Sequence, residues 1–290
     1  MKLYFRELTY KDIPAIKDIS KDIWEGHDYV PHVIEEWLKD KNCMNYGAFK
    51  DENHTEMVAF SRVKLYNKKI AWLEGGRVKI SYQKQGIGKT IAKYGIDYAN
   101  KLNAKVAQYA TSSQNFGSIS IAKYFRFRRK KSMNVLDAER KDIKLSRVPS
   151  RKIDKISINE AKKLYKTYDI GPGDELCVGW SYIPINYLSD DESEWYIHNS
   201  DAILQKIKFE RVQNQKYPKE NEVWLIVYGK PKGAYELVQY TMQQELKNKE
   251  SNYFEIFCHP NIANLIEKIG FFYYEGEPFG VVLLEKILSE

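Results

Sequence analysis

IAWLEGGRV, residues 70–78, and QKQGIG, residues 83–88, decide the fold of this chain. The first stretch reads as an apolar strand, and the second reads as a tight loop that opens a helix. Gly86 and Gly88 remove the side chains that would keep the backbone away from a phosphate. Since the N–H groups and the dipole at a helix N-terminus attract anions, the loop is predicted to hold a pyrophosphate.

The helix after this loop has one apolar side. Its apolar residues recur at steps of three and four positions, and the lysines fall between them. One side is therefore predicted to pack on a sheet, which leaves the N-terminus free for a ligand. The apolar positions are Ile87, Ile91, Tyr94, Tyr98 and Leu102.

Two nucleotide-binding motifs compete for the loop. Lys89 and Thr90 complete the end of a P-loop, but that pattern needs a glycine at position 83, where this chain has Gln83. No apolar strand downstream ends in the aspartate that would hold Mg²⁺. The other motif, [QR]-x-x-G-x-[GA], is matched by Gln83, Gly86 and Gly88, and here the chain resembles the GCN5-related N-acetyltransferase (GNAT) superfamily.

The resemblance implies a site for acetyl-coenzyme A. In this superfamily the strand before the loop carries a bulge that splays it from its neighbour and opens a slot for the cofactor. Gly75 and Gly76 mark such a bulge on physical grounds, because paired glycines interrupt strands. The cofactor-binding residues implied are Arg77, Val78, Gln83, Lys84, Gln85, Gly86, Ile87, Gly88, Lys89, Thr90 and, at the start of the fourth helix, Asn115.

Composition limits the class of protein. A chain of 290 residues suits two domains, and a net charge of +7 favours an anionic ligand such as coenzyme A without demanding nucleic acid. With a mean hydropathy of −0.57 and no apolar run long enough, no membrane span is expected. Three isolated cysteines indicate a reducing, cytoplasmic setting, and the histidine spacing predicts no metal. The oligomeric state is left open.

The order of elements predicts a mixed α/β (α+β) fold. Residues 1–145 read as β-α-α-β-β-β-α-β-α-β, the order of the GNAT fold, with a mixed central sheet flanked by helices. Residues 141–155 read as a linker. Residues 156–290 read as a second domain whose end repeats the strand, loop, helix, strand and helix. Since its loop at 230–233 has one glycine and Pro231 lacks an N–H group, this domain is predicted to be a degenerate GNAT-like domain that has lost cofactor binding.

Glu74 is the candidate general base. Strand alternation places it on one face with Trp72, Gly76 and Val78, where a carboxylate near a thioester could take a proton from an amine, directly or through water. The alternative is an ordinary strand carboxylate that pairs with Arg77 or a lysine.

Tyr124 is the candidate proton donor to the departing thiolate. The superfamily commonly has a tyrosine seven residues after the asparagine at position 115, but this chain has Ala122 there. Tyr124 lies about 200° further around the helix. Either Tyr124 acts through a shifted helix, or it is a core aromatic residue and the thiolate leaves without a tyrosine donor.

The basic run RFRRKK at residues 126–131 allows three interpretations. It is either a solvated end of a strand or helix, or a contribution to binding the phosphates of coenzyme A, or a nucleic-acid contact. Six residues are too few for a nucleic-acid surface by themselves.

A closer resemblance extends over nearly the whole chain. GHDYVP at 26–31, EGGRV at 74–78 and GWSYIP at 179–184 are similar to motifs of the two-domain histidine N-acetyltransferase-like group. The last stretch, W-x-Y-x-P, is one residue shorter than in that group. The resemblance implies transfer of acetyl to the primary amine of a small molecule, an amino acid such as histidine or similar, with Tyr29, Trp180 and Tyr182 contacting the acceptor. A non-catalytic sensor of acyl-coenzyme A or amino acids, and an acetyltransferase acting on protein N-termini or lysines, are the alternatives.

Overall fold

The computed structural model describes residues 1–26, 28–146, 153–165, 173–189, 193–199, 201–210, 221–247, 251–273 and 276–288. The chain divides into two compact units by its contacts. The first unit comprises residues 1–109, 117–128 and 284–290, and the second comprises residues 110–116 and 129–283. The domain ranges 1–145 and 156–290 stay predictions.

The first unit is a mixed sheet with helices on both faces. Its strands lie in the order β1-β2-β3-β4-β5, antiparallel except for the parallel pair β4–β5. The strands are β1 (Tyr4–Glu7), β2 (Cys43–Phe49), β3 (Met57–Tyr66), β4 (Ile70–Val78) and β5 (Val106–Ser112), of which residues 106–109 belong to this unit. The helices are α1 (Ile13–Ser20), α2 (Val30–Lys39), α3 (Ile87–Lys101) and α4 (Phe116–Tyr124), of which residues 117–124 belong to this unit.

The second unit is also a mixed sheet, in the order β6-β13-β12-β11-β10-β7, with a separate hairpin β8–β9. Its strands are β6 (Arg128–Glu139), β7 (Ile153–Ile156), β8 (Glu175–Cys177), β9 (Tyr182–Pro184), β10 (Glu194–His198), β11 (Ala202–Glu210), β12 (Asn221–Gly229), β13 (Ser251–Cys258) and β14 (Gly280–Ile287), which contributes residues 280–283. Its helices are α5 (Ile158–Leu164), α6 (Pro231–Glu245) and α7 (Pro260–Glu267).

Helix α3 packs closely on the sheet of the first unit. The Tyr46 hydroxyl donates to the Ile91 carbonyl oxygen at 2.8 Å, and a Cβ at Gly95 would lie 2.7 Å from that hydroxyl oxygen. A glycine is therefore needed where the helix crosses Tyr46. On the opposite face, α1 and α2 bury Ile16 and Ile34 against strands β2 and β3. Both faces of the central sheet are thus covered by the helices that the sequence predicts.

Two segments differ from the sequence predictions. Residues 128–139 form the long strand β6, in which Lys131 is buried and donates from Nζ to the Glu175 carbonyl oxygen at 2.6 Å. For Lys131, the interpretation of the basic run as a solvated end or a phosphate contact is therefore wrong. Residues 153–155, predicted as linker, belong to β7 (Ile153–Ile156), which pairs with β10, because the buried Ile153 anchors this short edge strand. The predicted linker residues 147–152 lie outside the described residues.

The second unit repeats the predicted order of strand, helix, strand and helix in β12, α6, β13 and α7. Strands β12 and β13 pair in parallel from Asn221–Ser251 to Val227–Cys258, so no splay separates them over that length. Pro231, predicted in a loop, is the first residue of α6, where a proline is well tolerated because the first N–H groups of a helix have no intrahelical partner. In the described residues, no helix is both long and apolar enough to cross a membrane.

Candidate active site

Strand β4 carries a bulge at Gly75 and Gly76. On β3, Phe60 and Arg62 lie two positions apart, but they pair with Arg77 and Glu74, which lie three positions apart. Gly75 has φ +66°, and a Cβ there would lie 2.6 Å from the ring of Trp37. Both the backbone conformation and the neighbouring indole thus require glycine. The bulge predicted from the glycine pair is confirmed.

The bulge changes which side chains share a face with Glu74. Because Phe60 and Arg62 lie on one face of β3, their partners Arg77 and Glu74 also share a face. A Cβ at Gly76 would instead point toward Ser61 and Ile91, on the side of α3. The prediction that Glu74 shares a face with Gly76 and Val78 is therefore wrong, since the extra residue shifts the alternation by one position.

Strand β4 leaves its parallel partner before it reaches the bulge. It pairs with β5 only from Ile70 to Trp72, although it continues beside β3 as far as Val78. In the described part of the chain, the edge of β4 from Leu73 to Val78 on the β5 side has no ladder partner. Backbone groups along such an edge can bind an extended ligand in the way a further strand would bind.

The loop that follows meets α3 at Gly86, the N-cap of this helix. Gly86 has φ +82°, and a Cβ there would meet no atom within 4 Å. The backbone conformation, and not a lack of space, therefore favours glycine at this position. A Cβ at Gly88 would lie 3.1 Å from Cδ1 of Ile121. Within the described structure, the backbone N–H groups of residues 84–88 make no hydrogen bond to the protein. They form a cluster of donors at the positive end of a helix, which fits the phosphates of coenzyme A.

The polar side chains of the loop brace it against neighbouring backbone. Gln83 donates from Nε2 to the Val78 carbonyl oxygen at 3.2 Å, which ties the loop to the end of β4. Gln85 donates from Nε2 to the Ser81 carbonyl oxygen at 3.2 Å, and the Thr90 hydroxyl donates to the Gly86 carbonyl oxygen at 3.3 Å. Lys84 takes φ +61°, and Ile87 is buried. The side chains of Gln83, Gln85 and Thr90 therefore shape the loop, and the contacts of the loop residues with the cofactor stay predictions.

Tyr124 lies beside this helix N-terminus. The Nζ atom of Lys89 is 4.4 Å from the centroid of the Tyr124 ring, and 63% of Tyr124 is exposed. The alternative interpretation of Tyr124 as a core aromatic residue is wrong, whereas its role as proton donor stays a prediction. Asn115 donates its N–H to the Ser112 carbonyl oxygen at 3.0 Å, and its contact with the cofactor also stays a prediction.

Glu74 is held by two donors. Arg62 donates from Nη1 to Oε1 at 2.8 Å, and the Trp72 indole donates from Nε1 to Oε2 at 3.3 Å. Arg62 also binds Asp40, with 2.7 Å from Nη2 to Oδ2. Burial raises the pKa of the Glu74 carboxyl above its ordinary value, against the lowering effect of Arg62 and Lys64. The ion-pair partner of Glu74 is thus Arg62 and not Arg77. Because the pKa of the Glu74 carboxyl is raised, its ionised form is a stronger base.

The side chain of Arg77 is bound to Asp28. Its Nε and Nη2 donate to the two carboxylate oxygens at 2.8 and 2.7 Å, and both side chains are buried. The guanidinium carbon lies 4.5 Å from the ring centroid of Trp24 and 5.4 Å from that of Tyr29. A cofactor contact of residue 77 would therefore use its backbone, and this contact stays a prediction.

The segment before Asp28 has a strained backbone. Trp24 and Glu25 take φ of 48° and 57°, the left-handed region that non-glycine residues rarely adopt, and Gly26 follows at 91°. Such strain concentrates at binding sites, where surrounding contacts hold it. Trp24 and Tyr29 are both exposed here, with their rings 6.4 Å apart and nearly parallel. They offer an aromatic surface next to the bulge, and the contact of Tyr29 with the acceptor stays a prediction.

Trp180 and Tyr182 belong to the second unit. Trp180 donates from Nε1 to the carboxylate of Glu255, at 3.1 and 3.2 Å to its two oxygens. Tyr182 is buried, and its hydroxyl donates to the Val281 carbonyl oxygen at 3.4 Å. These contacts hold both rings inside the unit, and their predicted contact with the acceptor stays a prediction.

Replacing Asp28 tests the buried ion pair. Asp28→Asn is expected to lower the free energy of unfolding by about 3 kcal/mol, because it leaves the buried Arg77 cation uncompensated. Urea denaturation of both proteins measures the change. Asp18→Asn is the matched control, since Asp18 pairs with Lys21 and Lys79 at the surface and its loss should change stability little. Equal losses in the two variants would contradict the assignment of Asp28 as the structural partner.

Comparison with known proteins agrees with this geometry. Residues 13–127 match the model of the Acetyltransferase (GNAT) family, and no curated protein sequence matches the chain. A GCN5-related N-acetyltransferase from Sphaerobacter thermophilus superposes with a TM-score of 0.65 at 11% identity, over 99% of this chain and 96% of that one. A tandem GNAT protein from the clavulanic acid biosynthesis pathway superposes with a TM-score of 0.63 at 12% identity, over 100% of both chains. These likenesses confirm the predicted fold class.

Proposed function

We propose that this chain, whose residues 13–127 belong to the GNAT acetyltransferase family, is an acetyltransferase for small molecules. It would transfer acetyl from acetyl-coenzyme A to the primary amine of a molecule such as an amino acid. The observation that carries this proposal is the combination of the bulged edge of β4 with the donor cluster at residues 84–88. The first fits an extended amide-containing arm, and the second fits a pyrophosphate.

The chain would hold the donor by backbone groups. The N–H groups of residues 84–88 would bind the pyrophosphate, with Lys84 and Lys89 contributing charge nearby. The edge of β4 would pair with the pantetheine arm, which Asn115 would also contact. A backbone N–H group near Val78 would orient the thioester and polarise its carbonyl. Acetyl-coenzyme A supplies the activated acyl group.

Glu74 would act on the acceptor. Its carboxylate would take a proton from the ammonium form of the amine, directly or through water, and the neutral nitrogen would then attack the thioester carbon. As the C–N bond forms, the C–S bond breaks, and Tyr124 would donate its proton to the departing thiolate. The second proton, which the nitrogen loses as it becomes an amide, would pass through water and restore Tyr124. Tyr29 would contact the acceptor beside the bulge. For Trp180 and Tyr182, the same role is proposed from the resemblance alone.

Turnover tests the proposal. The full chain is incubated with acetyl-coenzyme A and, separately, with amino acids including histidine, polyamines and peptide N-termini, and release of the free thiol is followed. Thiol release that requires a small-molecule amine supports the proposal. Release with peptides alone would identify a protein acetyltransferase, and tight binding of acetyl-coenzyme A without turnover on any amine would identify a sensor. Either result would overturn the proposal.

A further inference from the structure

The second unit contains a cavity of about 280 Å³, whose lining includes none of the residues proposed for acetyl transfer. Val178, Ile183 and Leu188 line one side, and Gln205, Ile207 and Trp224 of the sheet line the other. In β11 and β12 these sheet residues alternate with the ones that pack on α6, and Ile207 lies directly opposite Trp224 in the ladder. The cavity therefore lies on the sheet face that α6 does not cover.

Gln205 gives this cavity one polar group. The side chain is 1% exposed, and its Oε1 atom has no hydrogen-bond partner within the described structure. Trp195 lies opposite Gln205 on β10, but its indole N–H does not bond to that oxygen. Buried amide oxygens are nearly always paired in folded proteins. An acceptor left open at the wall of a cavity indicates a ligand with a hydrogen-bond donor.

The walls of the cavity are fixed by contacts of their own. Gly179 takes φ +89° and lies against the indole of Trp224, where any Cβ would collide with the ring. The Cys177 N–H donates to the hydroxyl of the buried Tyr228 at 2.8 Å, which fastens the β8–β9 hairpin to β12. The ring of Trp224 also lies 5.5 Å from that of Phe257. A cavity held in this way would change little when a ligand binds, so little ordering of the protein opposes binding.

The chemistry of the lining defines the ligand. In the described structure no charged side chain lines the cavity, and Ser189 and Gln205 are the polar members among residues that are otherwise apolar. A charged molecule would find no partner of opposite charge among these residues. We propose that this cavity binds a small uncharged aromatic molecule that donates an N–H to Oε1 of Gln205 and packs against Ile207 and Trp224.

Two probes of the same shape test this site. Indole carries the N–H donor, and 1-benzothiophene replaces it by sulfur. Ligand-observed NMR and calorimetry on the full chain should show that indole binds at least about tenfold more tightly, as expected for one hydrogen bond to a buried acceptor. If indole does not bind, or if both probes bind equally well, the proposal is wrong. This comparison uses the unchanged chain and needs no variant.

Variants locate the binding. Gln205→Leu should abolish the preference for indole, and Ile207→Trp should abolish binding of both probes by filling the cavity. Tyr253→Trp, which adds the same side chain at an exposed position of β13, should leave both affinities unchanged. Circular dichroism checks the fold of each variant. Indole binding that persists in Ile207→Trp would place the probe elsewhere on the chain and refute the site.

Discussion

Gly88→Asp is expected to lower the affinity for acetyl-coenzyme A by about 100-fold or more, because a carboxylate would stand among the donors that bind the pyrophosphate. The fold should survive this change. A Cβ at this position approaches only the flexible end of Ile121, at 3.1 Å, and a negative charge in the first turn of α3 favours the helix dipole. Calorimetry with acetyl-coenzyme A measures the loss.

Gly88→Ala separates charge from bulk in this experiment. The alanine side chain approaches Ile121 in the same way but adds no charge. The affinity of this variant for acetyl-coenzyme A should therefore stay within about tenfold of that of the unchanged chain. The loss in Gly88→Asp should also shrink as salt is added, because part of the repulsion is screened. If the affinity of Gly88→Asp for acetyl-coenzyme A is unchanged, the loop does not bind the pyrophosphate.

Glu74→Gln is expected to lower kcat/KM roughly 10²-fold near neutral pH, because it removes the proposed base while keeping the shape of the side chain. The pKa of Glu74 is raised by burial, so kcat/KM of the unchanged chain should fall as the pH drops through that raised pKa and the carboxylate is protonated. This acidic limb should be absent from the variant. At high pH the loss should narrow, since the amine is already neutral.

Asp40→Asn is the matched control for this variant. Asp40 and Glu74 both bind the guanidinium of Arg62, at 2.7 and 2.8 Å. Losing Asp40 therefore disturbs Arg62 in a comparable way but keeps the carboxylate at position 74, and kcat/KM should stay within about threefold. A Glu74→Gln variant with unchanged kcat from pH 6 to 9 would show that Glu74 is a strand carboxylate held by Arg62.

The fold around the loop could be predicted because its signals are local. The apolar run of β4, its glycine pair, the loop glycines and the periodicity of α3 all lie within residues 70–102, and each has one preferred local structure. The order of elements predicts a strand after α4, but the residues of β6 could not be assigned, because its first four residues, Arg128 to Lys131, carry only charge. Burial of Lys131 against the backbone of Glu175 depends on a partner distant in sequence.

The site residues show the same limit. The number of residues that the bulge inserts decides which side chains share a face of β4 with Glu74. The glycine pair shows where the bulge lies, but it does not fix the register of the strand. The ion pair of Asp28 with Arg77 joins positions far apart in the sequence, and no pattern connects them. For Arg62 a signal existed, since a cation in the apolar run of β3 needs a carboxylate partner once it is buried.

A calorimetric titration of the full chain with acetyl-coenzyme A tests the central claim most directly. We predict one molecule bound per chain, with binding lost in Gly88→Asp, because β12 and β13 pair from Asn221–Ser251 to Val227–Cys258 and, among the described residues, leave no open strand edge over that length. A stoichiometry of two per chain would show that the second unit also binds the cofactor. No binding at all, or one site that persists in Gly88→Asp, would contradict the assignment of the loop at residues 83–88.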